Sequence, residues 1–225
     1  MPESQDTQFV ELRQEMVELI ALHARHAGAE TGRTTLSENV IAAMREVPRH
    51  EFVPEELQPF AYFDTPLPIG FDKTISQPFI VALMTDLLEL RPEDRVLEVG
   101  TGLGYQAAIL ATLVQAVYSV EIIEELARDA QRRITGLGYE GIELKIGDGG
   151  RGWPEHAPFD KILLAAAPEL IPTSLLDQLK PGGRMVVPAG IEDAQRLLLV
   201  EKSAQGFTQT TEILPVRFSR LVTSH

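Results

Sequence analysis

Cysteine is missing from all 225 residues, which excludes disulfides, thiol catalysis and cysteine-ligated zinc. Positive charge is scarce: 20 lysines and arginines against 33 acids leave a formal net charge of −13. Such a surface repels nucleic-acid phosphates and anionic lipid, so neither is expected as a partner. Long apolar runs are absent too. The chain is 44% hydrophobic, yet no stretch approaches the ~20 apolar residues of a membrane span. The opening MPESQDTQFVELRQ has neither the basic nor the apolar segment of a secretion signal, and a cytoplasmic location is the expectation. The five histidines are scattered. His23 and His26 lie one helical turn apart, but no acidic third ligand accompanies them, so no metal site is expected.

What is present reads as one α/β domain. Phe9, Leu12, Met16, Leu19, Ile20 and His23 recur at helical spacing over 7–27. Thr35-Leu36-Ser37-Glu38 has the form of a capping box, opening a second helix that Pro48 stops. From 48 to 75 the chain is rich in proline and glycine and reads as largely irregular, a length that usually has a functional reason. Beyond it the pattern becomes regular. Helices are expected over about 78–90, 104–114, 124–137 and 172–179, and strands over 95–99, 117–121, 142–147, 160–166 and 184–188. That alternation predicts a doubly wound, Rossmann-like, mostly parallel sheet covered on both faces. Residues 195–202 and 207–214 flank Ala204-Gln205-Gly206 and predict an antiparallel hairpin added to it. Residues 1–75 form an N-terminal helical cap and lid segment, and 76–225 the sheet-bearing part.

The first strand runs into RVLEVGTGLGYQAAIL, residues 95–110. In a doubly wound sheet this strand-to-helix turn is where a nucleotide-like ligand sits. Gly100, Gly102 and Gly104, with Thr101 among them, let backbone approach a ligand with no Cβ in the way. A dinucleotide fingerprint needs a third glycine where Tyr105 stands, which counts against the main rival, NAD. The pattern is E-x-G-x-G-x-G, and Glu98 suits a cationic ligand better than a pyrophosphate. S-adenosylmethionine fits, having a sulfonium, an ammonium and no phosphate. Glu121 ends the second strand, where an acid accepts hydrogen bonds from ribose hydroxyls, and Asp148 with Gly149 follows the third, near an adenine edge. Taken singly, Glu98 reads equally as a solvated charge, Glu121 as a helix N-terminal acid and Asp148-Gly149 as a turn. Their order at successive strand ends is what favours the cofactor.

Together, YFDTPLPIGFDKTISQPFIVALMTDLLEL, VLEVGTGLGYQAAILA, VPRHEFVP, FDKILLAAAPELIP, LKPGGRMVVPAG and PVRF resemble the protein-L-isoaspartate O-methyltransferases, over about residues 35–222. The glycine motif is shared by many methyltransferases, and T-I-S-x-P is the family-specific signal. The resemblance implies methylation of the α-carboxylate of L-isoaspartyl residues in damaged proteins and peptides, with S-adenosylmethionine converted to S-adenosylhomocysteine. It implies Ser76 as the active-site residue, with Thr74 and Ile75 lining the cofactor and substrate cleft. The sequence departs from the family at Phe71-Asp72-Lys73, where small or amide residues are usual, and at Ser219-Arg220, in place of a valine-proline pair.

A carboxylate of pKa ~4 is already ionised at neutral pH, so this chemistry needs no general base. What it needs is in-line positioning and exclusion of water, and alignment contributes roughly 7–11 kcal/mol. Ser76 therefore reads as an orienting hydroxyl, not a covalent nucleophile; a helix N-cap ahead of Pro78 is its structural alternative. Ile69, Phe71 and Ile75 make sense in a loop if they fold over the cofactor as a lid.

Overall fold

A computed structural model describes residues 2–191 and 193–223, with side chains from residue 7 onward; the last histidine, His225, lies outside them. Seven strands form the main sheet: β3 (Arg95–Val99), β4 (Ala116–Glu121), β5 (Ile142–Ile146), β6 (Phe159–Leu164), β7 (Leu179–Ala189), β8 (Arg196–Lys202) and β9 (Thr208–Pro215). Their order is β5-β4-β3-β6-β7-β8-β9, parallel from β5 to β7 and antiparallel through β8 and β9. The order reverses between β3 and β6. The crevice at the carboxyl ends of these strands is the switch point at which such sheets bind ligands.

The central strands are buried on both faces because apolar side chains alternate across them. Val96 and Leu163 face one hydrophobic cluster, while Leu97, Val99, Ile162 and Leu164 face a second. The first cluster also takes in Met16, Val17 and Ile20 of α1 (Pro2–His26), Val40 and Met44 of α3 (Glu38–Glu46), and Leu83 and Met84 of α4 (Pro78–Leu87). It continues into α5 (Tyr105–Ala111) and α6 (Glu124–Gly136) through Ile109 and Ile134. A single turn, α2 (Gly28–Thr31), follows α1, and α7 (Thr173–Gln178) packs on the second cluster through Leu175. Among the described residues no helix is long and apolar enough to cross a membrane.

Two local expectations fail. The Thr35–Glu38 capping box does not form: α3 opens at Glu38 with Ser37 as N-cap and no side-chain cap. The Ser37 N–H instead donates to Asp86 Oδ1 on α4 at 2.8 Å, a tertiary contact that displaces the local one. The stretch 48–75 is also more ordered than its prolines suggest. It carries two 3-10 turns, Arg49–Phe52 and Glu55–Phe60, and a hairpin of β1 (Leu67–Gly70) with β2 (Lys73–Ile75). Phe71 and Asp72 form the hairpin's two-residue turn, both in the left-handed region at φ 53° and 55°.

That hairpin corrects the lid expectation in one respect. Ile69 and Ile75 face inward and are buried, but Phe71 at the tip is 54% exposed and does not line the cavity. Strand alternation and the turn separate them: residues two apart share a face, and Phe71 belongs to neither strand.

Candidate functional site

At the carboxyl ends of β3, β4 and β6 a cavity encloses about 950 Å³, part of it open to solvent. Its floor is the glycine turn, where Gly100 and Gly102 have φ of 95° and 56°. A Cβ on Gly102 would come within 3.1 Å of Ile69 Cδ1, so glycine keeps the hairpin close to the turn. Glu121, at the end of β4, forms one wall. Its Oε2 accepts the Gly102 N–H at 2.8 Å and its Oε1 the Ile123 N–H at 3.0 Å. Each carboxylate oxygen has a second lone pair, so two further donors can be received.

The opposite wall is Ile69, Thr74, Ile75 and Ser76, and a second cleft opens beyond Thr74 and Ser76 toward Arg217 and Phe218. The C-terminal segment closes the cavity. Ala167 N–H donates to Ser219 O and Leu221 N–H to Ala167 O, both at 2.8 Å, and the Arg220 guanidinium pairs with Glu169. The departure at Ser219-Arg220 thus leaves a strand-like backbone contact, held by an ion pair.

Nine of the sequence-predicted site residues meet in the cavity wall: Ile69, Thr74, Ile75, Ser76, Gly100, Thr101, Gly102, Glu121 and Gly149. Four do not. Phe71 stands at the exposed hairpin tip. Gly104, at φ 96°, is the N-cap of α5, and a Cβ there would meet Ile134 Cδ1 of α6 at 2.9 Å, so it serves helix packing. Asp148 caps the 3-10 turn Gly149–Arg151, accepting the Gly150 N–H at 2.8 Å, beside the cavity and not in its lining.

Glu98 lies beneath the cavity floor, fully buried. It sits opposite Ser119 in the β3–β4 register, and the Ser119 hydroxyl donates to its Oε2. Ser119 is in turn 2.6 Å from the Thr101 hydroxyl, which reaches the cavity. Burial first, and nearby Glu121 after it, push the Glu98 carboxyl up from 4.5 to about 8, against the opposing Ser119 bond. The folded chain thus holds a proton that the unfolded chain releases above its own pKa. This contribution to stability is complete below about pH 4.5 and is lost as pH rises toward 8. Glu98→Gln is expected to flatten the fall in unfolding free energy between pH 5 and pH 8, by an amount on the order of a few kcal/mol. Urea melts of both proteins at the two pH values measure it; parallel slopes would refute the assignment.

Two residues that position the site lie within the segments VPRHEFVP and YFDTPLPIG, where nothing in the local sequence reveals that role. The fully buried Arg49 donates from Nε to Ala61 O at 2.7 Å and from Nη2 to Ser76 O at 2.8 Å. Its guanidinium lies 5.0 Å from the Tyr105 ring centre, and burial holds its pKa down to about 10. Asp64 accepts the Phe79 N–H at 2.9 Å and the Gln77 side-chain amide at 2.8 Å, and pairs with His23 at 2.5 Å. The N-cap of α4 is Gln77, not Ser76, and the first-turn N–H of Phe79 is already taken by Asp64.

A carboxylate at the end of the second parallel strand, an apolar chamber and two glycines in positive φ suit an adenosyl group with no phosphate. Among the described residues no group of three metal-binding side chains occurs.

The profile of the protein-L-isoaspartate(D-aspartate) O-methyltransferase (PCMT) family matches residues 28–225. Protein-L-isoaspartate O-methyltransferase 1 of Polaromonas sp. (strain JS666) is 60% identical over 213 residues, 95% of this chain and 90% of that protein. The enzyme of the same name from Cupriavidus necator is 54% identical over 214 residues, 95% of this chain and 83% of its own length. A solved protein-L-isoaspartate O-methyltransferase superposes with a TM-score of 0.79 at 28% identity, covering 92% of this chain and 65% of that one. A Plasmodium falciparum structure described as a putative member, in complex with S-adenosyl-L-homocysteine, superposes at 0.73 with 23% identity, covering 84% of this chain and 92% of that one.

Proposed function

Because the chain belongs to the protein-L-isoaspartate O-methyltransferase family, we propose an assignment of its cavity residues to that family's reaction. The reaction is transfer of a methyl group from S-adenosylmethionine to the α-carboxylate of L-isoaspartyl residues in damaged proteins and peptides. One observation carries the residue assignment: Ser76 lines both the cavity floored by the glycine turn and the cleft that opens beside it. It is the place where a cofactor in one and a peptide in the other come together.

Gly100, Thr101, Gly102, Glu121 and Gly149 hold the cofactor, the spare lone pairs of Glu121 receiving the ribose hydroxyls. Bound there, S-adenosylmethionine supplies a methyl group already activated on a sulfonium. The Ser76 hydroxyl donates a hydrogen bond to the incoming carboxylate and orients it while leaving its other lone pairs nucleophilic. Ile69 and Ile75 keep water from the reacting atoms. No proton has to move, since the substrate is ionised before it binds. Glu98 acts at one remove, through Ser119 and Thr101.

The substrate is an extended peptide with modest demands on flanking sequence, free of nucleic acid and membrane, and met in the cytoplasm. A net charge of −13 supports the first two exclusions. Labelled S-adenosylmethionine with paired isoaspartyl and aspartyl peptides tests the reading. Base-labile label on the isoaspartyl peptide alone is the expected result; equal labelling of both, or of neither, overturns it.

A further inference from the structure

The two walls that flank Ser76 each carry a cation. Lys73 opens β2 and lines the cavity floored by the glycine turn, while Arg217 lines the adjoining cleft; both spaces share Thr74, Ser76, Ala165 and Ser219. Among the described residues neither cation has a carboxylate within ion-pairing distance. Nearby arginines differ, for Arg220 is tied to Glu169 and Arg151 to Asp148.

The backbone explains where these two cations stand. Lys73 is two residues from the buried Ile75 and so shares its inward face, whereas Asp72 belongs to the turn and is exposed. The hairpin keeps its acid outside and its base inside. Past β9, Val216 N–H donates to Gln195 O at 3.1 Å, and the Gln195 side chain holds both Phe218 N–H at 2.7 Å and Phe218 O at 3.1 Å. Arg217 lies between these anchored residues, exposed, lining the cleft on one side and a further surface pocket with Gln195 and Asp193 on the other.

A chain of net charge −13 repels an anionic substrate at long range, so unpaired cations at the mouth have a use. We propose that Lys73 and Arg217 form a two-sided cationic mouth that captures the ionised carboxylate of the isoaspartyl substrate and releases the neutral methyl ester. This rests on the methyl-transfer reading above and adds a charge filter to it. Both cations act on binding, because the attraction exists before the methyl moves and weakens afterwards.

The test uses Lys73→Gln, Arg217→Gln, the double variant, and Arg128→Gln as a control that removes the same charge from the exposed face of α6. Steady-state kinetics with an isoaspartyl peptide are measured at low and high salt. Each single change at the mouth is expected to raise KM roughly 3-fold and the double change about 10-fold, with kcat within about 2-fold of the parent. The salt dependence of kcat/KM should flatten in the double variant and persist in the control. Lys73→Arg should retain the parent KM. The proposal is overturned if the double variant keeps the control's KM and salt dependence, or if kcat falls while KM stays. Methyl transfer by the parent protein separates the two readings: its absence sinks both, whereas transfer with unaltered variants sinks only the cationic mouth.

Discussion

Ser76→Ala is expected to lower kcat/KM for an isoaspartyl peptide on the order of 100-fold, the usual scale for removing one positioned donor from a reacting oxygen. Cofactor binding and thermal stability should hardly change. The structure makes that separation possible, because Ser76 does not cap α4. Gln77 occupies the N-cap, Asp64 satisfies the Phe79 N–H, and Ser76 is tied to the fold through its backbone carbonyl, by Arg49. Deleting the hydroxyl therefore removes no hydrogen bond made among the described residues, and a loss of turnover would report on the proposed contact with substrate. Single-turnover kinetics, cofactor titration and a melting curve on the variant decide the matter. Undiminished turnover would remove Ser76 from the reaction; a large loss of stability would make it a structural residue.

Arg49→Met is expected to act in the opposite way, through stability first. A buried guanidinium carries a large desolvation cost, and an apolar replacement sometimes stabilises a fold. Here the balance goes the other way, because two carbonyls, Ala61 O and Ser76 O, lose their donor. Each orphaned acceptor costs about 1–3 kcal/mol, so a loss of about 3 kcal/mol is expected, which lowers Tm by roughly 6–12 °C in a chain of this size. Turnover should fall as well, since Ser76 loses the bond that fixes its backbone. Arg49→Lys, able to reach one carbonyl, should lie between. A Met variant as stable as the parent would show that the two carbonyls find other partners.

The sheet was legible because its signals are local. Apolar runs of five or six residues, separated by amphipathic helices, fix β3 to β7 to within a few residues at most ends, and the glycine turn marks the first crossover. The hairpin at 67–75 was not legible. Its turn is Phe71-Asp72, whereas two positive φ angles are ordinarily announced by Asn-Gly. Arg49 and Asp64 escaped notice for a different reason: Arg49 acts on Ser76 27 residues away, and Asp64 on Phe79 15 residues away. No periodicity encodes such pairings. Glu98 is instructive because its position was read well and its surroundings were not. A strand covered on both faces leaves an acid no route to water, and Ser119 at the matching place on the next strand is the signal that could have announced their contact.

The carboxylate of Asp64 has a consequence for how this fold can be inherited. It joins His23 of the first helix to the amide end of α4, and the same hydrophobic cluster runs from Met16 through Met84 to Leu214. A nucleotide-binding sheet is often pictured as a cassette that evolution fits with interchangeable caps. Here the cap is stitched into the wall that presents Ser76, so exchanging it means rewriting both sides of the seam together. Drift in the first helix is answerable, through one aspartate, to the geometry around Ser76.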